Sequence, residues 1–307
     1  MQNPVVSIIC TTYNHEPYIR ECLDGFMMQQ TDFPFEVLIH DDASIDKTAD
    51  IIREYEAKYP DIIKPIYQTD NQYSKGVKIG LTYLYPRAKG KYIAECEGDD
   101  YWTDPLKLQK QVDFMERHPE YVMCSHSFIN YYQIENRFDA FYNPPIPNDF
   151  SYDINEYIKS QLWITQPLSI LYRSSNLDIV RYSEYKNSKD VTLCYFLLKH
   201  GPGYFMANDM GVYRRHSTGV WTGSNRQDKI KDGLLAVKSI YDIEQDEYAA
   251  RYLVNVLKGW RYLGVSFFKR NMRLYIQIIR IIYRYYGIRE SLRVIAGSVN
   301  ICMILKR

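Results

Sequence analysis

Glu97, Asp99 and Asp100 place three carboxylates within four residues, in the run Glu97-Gly98-Asp99-Asp100-Tyr101-Trp102. The run follows the apolar stretch Tyr92-Ile93-Ala94, so it falls just past the end of a predicted strand. Like charges this close repel, and folding them together costs free energy unless a cation neutralises them. Short oxygen ligands at a strand terminus suit Mg2+ or Mn2+, ions that often also grip a phosphate. The cluster therefore reads as a metal–phosphate site with Asp99 and Asp100 as ligands. Asp104, beside Pro105, reads instead as a helix cap.

Two further polar clusters follow apolar runs. Asp41-Asp42-Ala43-Ser44-Ile45-Asp46 comes after a second predicted strand. A carboxylate at Asp41 can accept a hydrogen bond from a nucleobase N–H. Ser44 and Asp46 fit an Asx-type turn that caps the next helix. Thr11-Thr12-Tyr13-Asn14 follows the first predicted strand. It has neither the glycines and Lys-Ser/Thr pair of a P-loop nor a Rossmann glycine fingerprint, which excludes those nucleotide-binding classes. The glycine- and arginine-rich loop that a sugar nucleotidyltransferase needs is missing as well.

The elements that must position these clusters alternate. Strands are expected at residues 5–10, 35–39, 62–67 and 91–96. Helices are expected at 17–30, from Ser44 to Pro60, after the loop 68–76 to about Tyr85, and at 106–117, where Leu108, Val112 and Met115 share a face. Alternation of this kind predicts an α/β fold with a mostly parallel central sheet flanked by helices. In such sheets ligands bind at the carboxyl ends of the strands, where all three polar clusters fall. Beyond residue 118 the pattern loosens. Strands are expected at 122–129, 168–172 and 204–207, a loop at 134–152, a helix at 191–199, and helices almost throughout from Asp228.

The net charge of +1 over 307 residues hides an asymmetry. Residues 251–307 hold twelve Lys/Arg and one acidic residue, Glu290, which leaves 26 of the 38 basic and 36 of the 37 acidic residues in 1–250. An acidic body argues against general nucleic-acid binding. The basic end mixes arginine and lysine with Phe, Tyr, Ile and Leu, as in Ile278-Ile279-Arg280 and Ile282-Tyr283-Arg284-Tyr285-Tyr286. That mixture fits a basic amphipathic helix at an anionic membrane surface, or helices showing a solvated basic face. Six scattered cysteines without Cys-x-x-Cys read as thiols of a reducing compartment. No signal peptide and no membrane-spanning run is expected, which points to a cytoplasmic protein, peripheral at the inner face of the membrane if residues 263–307 dock there. Thirty tyrosines, flat rings with a polar tip, suit sugars and wet interfaces.

Taken in order, Pro4 to Asn14, Asp41 to Thr48 and Glu97 to Trp102 resemble the family 2 glycosyltransferases over about residues 4–118. The resemblance implies a GT-A fold, a nucleotide diphosphate sugar as donor and Mg2+ or Mn2+. It assigns the base, usually uracil, to Asp41, and donor contacts to Thr11, Tyr13, Asp42, Lys75, Asp99 and Arg214. Metal coordination falls to Asp99 and Asp100, whereas Glu97 stands where an aspartate is commoner. The catalytic base corresponds to Asp190, in Asn187-Ser188-Lys189-Asp190-Val191-Thr192-Leu193, with Glu184 as the alternative. A helix N-terminus also favours the ionised form that a base needs. Val212 to Trp221 resembles the family's flexible loop. There His216 completes the metal site or touches the diphosphate, Arg214 or Arg215 neutralises the leaving group, and Trp221 stacks on sugar or closes as a lid.

The expected organisation is a catalytic domain at 1–225, with 1–118 the nucleotide-binding half and 119–225 the acceptor half, followed by a helical basic region at 226–307. The expected activity is inverting transfer of a sugar, from a donor that is UDP-linked, to a hydroxyl of a saccharide or lipid-linked saccharide in surface polysaccharide or glycoconjugate synthesis. The competing readings are a non-catalytic nucleotide-sugar binder on the same fold and a metal-dependent phosphoryl hydrolase.

Overall fold

The structure, a computed structural model, describes residues 3–142, 145–160, 164–217, 219, 225–257 and 271–298. The chain divides into two compact units. One comprises Met1–Asp153, Trp163–Ser183 and Cys194–His216; the other comprises Ile154–Leu162, Glu184–Leu193 and Ser217–Arg307.

The first unit is built on a mixed sheet. Strand β1 (Val6–Thr12) lies parallel to β2 (Phe35–Asp41) on one side and to β4 (Tyr92–Glu95) on the other, and β2 pairs in parallel with β3 (Ile63–Tyr67). These are the four strands expected from the apolar runs, and their inward residues Val6, Ile8, Cys10, Val37 and Ile39 are fully buried. Burying each such aliphatic side chain contributes roughly 1.5–3 kcal/mol. The flanking helices follow from their periodicity. In α1 (Ile19–Met27) the residues Ile19, Cys22, Leu23 and Phe26 are buried at helical spacing. The same holds for Ile51, Ile52 and Tyr55 in α2 (Thr48–Lys58), and for Leu108, Val112 and Met115 in α3 (Lys107–Arg117).

Beyond β4 the sheet changes character. The antiparallel strand β9 (Leu171–Arg173) sits between β4 and β6 (Met123–Tyr132). Strand β10 (Gly203–Arg215) runs parallel to β6, and the two-residue β5 (Tyr101–Trp102) pairs antiparallel to β10. Gly25 of α1 is fixed by this arrangement, since a Cβ there would stand 2.9 Å from the Trp102 backbone nitrogen.

Several boundaries differ from expectation for identifiable reasons. The loop expected at 134–152 contains β7 (Arg137–Ala140), paired with β6, and β8 (Phe150–Tyr152), paired with β10. All four residues of β7 are exposed, and its alternation Arg137-Phe138-Asp139-Ala140 spans only four residues, the shortest run that signals a strand. Strand β10 extends to Arg215 because a bulge, with exposed Asn208 and Asp209, interrupts its pattern without ending it. The helix expected after residue 76 is two short turns, Gly80–Leu84 and Tyr85–Arg87, and the loop expected at 68–76 holds a third, Tyr73–Lys75. Ser44 does not cap α2. Asp46, just before the helix, accepts from the Thr48 amide at 3.0 Å, while Ser44 turns back to Asp41.

The first unit also contains α5 (Ile179–Ser183), and α6 (Asp190–Leu198) runs from the second unit into the first. In the second unit, α4 (Ile154–Ser160), α7 (Arg226–Glu244), α8 (Glu247–Leu257) and α9 (Met272–Ser298) are helical, in line with the expectation from Asp228 onward. Asn225 caps α7 by accepting from the Asp228 amide at 2.9 Å. Helix α9 is interrupted at Gly287, whose φ of 72° is left-handed. Among the described residues no helix is long and apolar enough to cross a membrane.

Candidate active site

The loops after β1 and β2 are laced together. The Asn14 amide donates to Ser44 Oγ at 2.9 Å, and Asn14 Oδ1 accepts from the Ile45 amide at 2.9 Å. His15 N donates to Thr48 Oγ1 at 2.8 Å, and Glu16 N to Asp46 Oδ2 at 3.0 Å. Asn14 and Ala43 hold positive φ values of 55° and 63°, a conformation that costs an L-residue roughly 1–2 kcal/mol and that this lacing sustains. Asp41 and Asp42 are both buried. Asp41 accepts Ser44 Oγ–H at 2.5 Å, and burial pushes its carboxyl above the ordinary value against that hydrogen bond. Asp42 accepts the amides of Gln72 and Tyr73 at 2.7 and 3.0 Å, so it anchors the segment carrying Lys75. Lys75 is exposed and lies 3.4 Å from Asp70.

The acidic run forms a tight turn after β4. Gly98 N donates to the Thr11 carbonyl at 3.0 Å, which ties the turn to the end of β1. Glycine is required there: a Cβ would stand 2.9 Å from Thr12 Cβ and 3.0 Å from His15 Nδ1. One oxygen each of Glu97, Asp99 and Asp100 lies within 4.8 Å of the others. Asp99 Oδ2 meets His216 Nε2 at 2.9 Å, with His15 Nε2 at 3.9 Å. Asp100 Oδ1 accepts the Arg214 amide at 2.8 Å.

The two aspartates are driven apart electrostatically. Burial raises Asp99, but the His216 hydrogen bond and the nearby imidazole charges outweigh it and leave its carboxyl below the ordinary value. Burial, then the charge of Asp99, pushes Asp100 well above the ordinary range. Repulsion left uncompensated within a set of hard oxygen donors beside an imidazole fits Mg2+ or Mn2+.

Arg214 lies behind this turn. Its side chain is 4% exposed. Nε donates to the Asp99 carbonyl at 2.9 Å, Nη1 to Gln133 Oε1 at 2.9 Å, and Nη2 pairs with Glu21. The guanidinium is also packed against the rings of Tyr18, Tyr101 and Tyr131. The family resemblance offered Arg214 or Arg215 for the leaving group; in the structure the Arg214 guanidinium is engaged by the Asp99 carbonyl, Gln133 and Glu21. Arg215 donates to Asn130 at 2.8 Å.

Thr11, Tyr13, Asp41, Asp42, Asp99, Asp100 and His216 all belong to the first unit, whereas Glu184 and Asp190 belong to the second. Asp190 opens α6, and its Oδ1 accepts the Val191 amide at 2.8 Å. Burial nevertheless pushes its carboxyl above the ordinary value, so the helix N-terminus does not dominate as expected. Glu184 is exposed, and Trp221 lies outside the described residues. Sequence reasoning passed over His15, Tyr18 and Glu21. Their signal was position alone, within nine residues of the end of β1 at Thr12.

The fold and these strand-end clusters define a nucleotide-sugar-transferase type of architecture. The chain belongs to glycosyl transferase family 2, whose description matches residues 7–178. It is 40% identical over 221 residues to uncharacterized protein Rv1520 of Mycobacterium tuberculosis, covering 70% of this chain and 60% of that one. The chain thus spans less than two thirds of the length of that relative. The UDP-Glc:alpha-D-GlcNAc-diphosphoundecaprenol beta-1,3-glucosyltransferase WfaP of Escherichia coli is 37% identical over 144 residues, 46% of this chain and 52% of that one. Among solved structures, S. aureus TarS 1–349 in complex with UDP-GlcNAc matches with a TM-score of 0.69 at 18% identity, over 96% of this chain and 88% of that one. The mannosyltransferase PcManGT of Pyrobaculum calidifontis, in complex with GDP-Man and Mn2+, matches with a TM-score of 0.56 at 15% identity, over 97% and 87%. At these identities the two structures establish the GT-A fold.

Proposed function

We propose that this protein is an inverting glycosyltransferase that moves a sugar from a UDP-linked donor to a hydroxyl of a saccharide or lipid-linked saccharide. The observation that carries the reading is the grouping of Glu97, Asp99 and Asp100 at the end of β4, tied to the end of β1 and beside the end of β2. Asp99 and Asp100, with His216 beside them, hold the divalent cation. When bound, that cation supplies positive charge opposite the departing nucleoside diphosphate. Asp41 and Asp42 shape the base site, with Thr11 and Tyr13 on the donor side. Asp190 takes the proton of the acceptor hydroxyl as that oxygen attacks the anomeric carbon. One base suffices for inversion by single displacement, and no covalent sugar intermediate is needed.

UDP is favoured because TarS binds UDP-GlcNAc and WfaP is named for a UDP-Glc donor. A lipid-linked acceptor is favoured by the diphosphoundecaprenol in the name of WfaP, which supports a role in surface polysaccharide or glycoconjugate synthesis. Functionally, residues 1–225 are the catalytic part, 1–118 handling the nucleotide and 119–225 the acceptor.

The test is incubation with a panel of UDP- and GDP-sugars in Mn2+ or Mg2+. Slow, metal-dependent release of nucleoside diphosphate, lost in Asp99→Asn, is the expected result. Hydrolysis of simple phosphate esters without regard to the sugar would favour a hydrolase, and donor binding without any turnover would favour a non-catalytic binder.

A further inference from the structure

Helix α9 carries a face that its own unit does not cover. Tyr275, Ile278 and Ile282 are buried, and they recur at spacings of three and four. Tyr286 OH reaches the Glu247 carbonyl at 3.4 Å, and Tyr285 bonds the Gln245 carbonyl, so this side packs towards α7 and α8. On the opposite side Arg273, Ile276, Gln277, Arg280, Tyr283 and Arg284 are all exposed. At 3.6 residues per turn these six fall in one stripe about a third of the helix circumference wide. Ile276 is 42% and Tyr283 58% exposed. Past Gly287 the mixture continues, with Ile288 at 66%, exposed Arg289, and Leu292 at 57%.

We infer that this face of α9 docks on an anionic lipid surface. The charge is one-sided: Glu290 is the only acidic residue between 251 and 307, against twelve basic ones. Carboxylates on the neighbouring helices are engaged elsewhere, Asp242 by Lys238 at 2.7 Å and Glu247 by Arg251 at 2.8 Å. Among the described residues Arg273, Arg280 and Arg289 form no ion pair, so their charges are left for an external anion.

Interleaved aliphatic side chains select among the polyanions. Isoleucine and leucine exposed between arginines gain nothing from a nucleic-acid backbone, whereas an acyl–headgroup boundary takes up both kinds of side chain. No described helix can span the bilayer, so α9 lies in the plane of the interface. The inference goes beyond the catalytic reading and does not depend on it. It supplies a means of keeping the enzyme at the surface where a lipid-linked acceptor resides.

The experiment is co-sedimentation of the full chain with phosphatidylglycerol vesicles, phosphatidylcholine vesicles and none. Two variants accompany it: Arg273→Gln/Arg280→Gln/Arg284→Gln, and Ile276→Ser/Tyr283→Ser. All five parent residues are exposed, so both variants retain the helical circular dichroism of the parent. The parent is expected to bind phosphatidylglycerol and not phosphatidylcholine, and to be released by salt. Each arginine near an anionic surface contributes roughly fivefold, so the triple variant loses about a hundredfold in vesicle affinity. The serine variant loses about tenfold or more. Absence of phosphatidylglycerol binding overturns the inference, as does equal binding by the triple variant. Concentration-dependent self-association that both variants abolish, without vesicle binding, assigns the face to a second copy of the chain and overturns it as well. Donor hydrolysis in the same samples reports separately on the catalytic reading.

Discussion

Arg214 grips both aspartates of the acidic turn through its own backbone and side chain: its amide donates to Asp100 Oδ1 at 2.8 Å and its Nε to the Asp99 carbonyl at 2.9 Å. The pairing of β5 with β10, Trp102 opposite Gly211 and Tyr101 opposite Val212, sets this up. Two residues further on, His216 Nε2 lies 2.9 Å from Asp99 Oδ2. The end of one strand therefore holds the turn that follows another.

Replacing Arg214 by Met keeps the amide contact and removes the guanidinium. The bonds to the Asp99 carbonyl and Gln133, and the pairing with Glu21, are lost. Stability is expected to fall by about 1–3 kcal/mol in urea unfolding. Mn2+ affinity, read by electron paramagnetic resonance, is expected to fall about tenfold, the scale seen when a residue that orients metal ligands is removed. Loss of stability with unchanged Mn2+ affinity would confine Arg214 to folding.

How much of this was legible depended on how locally it was encoded. The strand ends were, because β1, β2 and β4 are apolar runs that stop at polar residues, and the three clusters of the site sit at those stops. Residue type also marked Asp99 and Asp100, and the family resemblance marked His216. What the chain order does not carry is direction. Arg214 is a cation near a phosphate site by sequence, but an antiparallel pairing and three aromatic rings orient it behind the turn. Strand β7, wholly exposed, offered only a four-residue alternation, Arg137-Phe138-Asp139-Ala140, too short to stand out in a loop. Ser44 has the residue type of a helix cap, yet the approach of Asn14 and Asp41 claims its hydroxyl.

Lys107 predicts a pH dependence of stability. It is fully buried at the start of α3, its Nζ stands 3.8 Å from the centre of the Trp102 ring, and Nζ has no hydrogen-bond partner. Burial pushes its pKa down to about 7. Below that value both folded and unfolded chains are protonated and the full penalty of the buried charge is present. Between there and the ordinary lysine value the unfolded chain binds the extra proton, so this contribution to stability rises with pH. The displacement corresponds to a few kcal/mol at most. Lys107→Met is expected to be more stable than the parent near pH 6.5, with the difference narrowing towards pH 9.5. A difference that stays constant over this range would mean Lys107 keeps an ordinary pKa.

Gly98 makes a prediction about the turn itself. An alanine methyl there would press on Thr12 Cβ at 2.9 Å and on His15 Nδ1 at 3.0 Å. Thr12 is in the strand, so the turn must give way. Gly98→Ala is expected to cost about 1–3 kcal/mol, as over-packing of a tight site does, and to weaken Mn2+ binding because Asp99 and Asp100 move with the turn. Adding Thr12→Gly removes the closest opposing atom and should recover part of both losses. Wild-type Mn2+ affinity in the single variant would show that the turn is free to shift without its ligands.

Asp190 makes the prediction that bears most directly on chemistry. A general base works only when ionised, and burial raises the Asp190 carboxyl above the usual aspartate value near about 3.9. The transfer rate should therefore climb with pH through that raised value, placing the acid limb of the profile above where an ordinary aspartate would put it. Asp190→Asn should reduce transfer by about a hundredfold to ten-thousandfold, the span over which a positioned base contributes, and should flatten the acid limb of what remains. Donor affinity, measured by binding of UDP, should stay within about threefold, because asparagine keeps the shape. Folding gives the control. A carboxyl with a raised pKa loses stability as pH rises from the unfolded value through the folded one, so neutral asparagine should leave the protein at least as stable near pH 7. Transfer at the parental rate by Asp190→Asn moves the search for the base to Glu184, where Glu184→Gln then becomes the variant that must lose it.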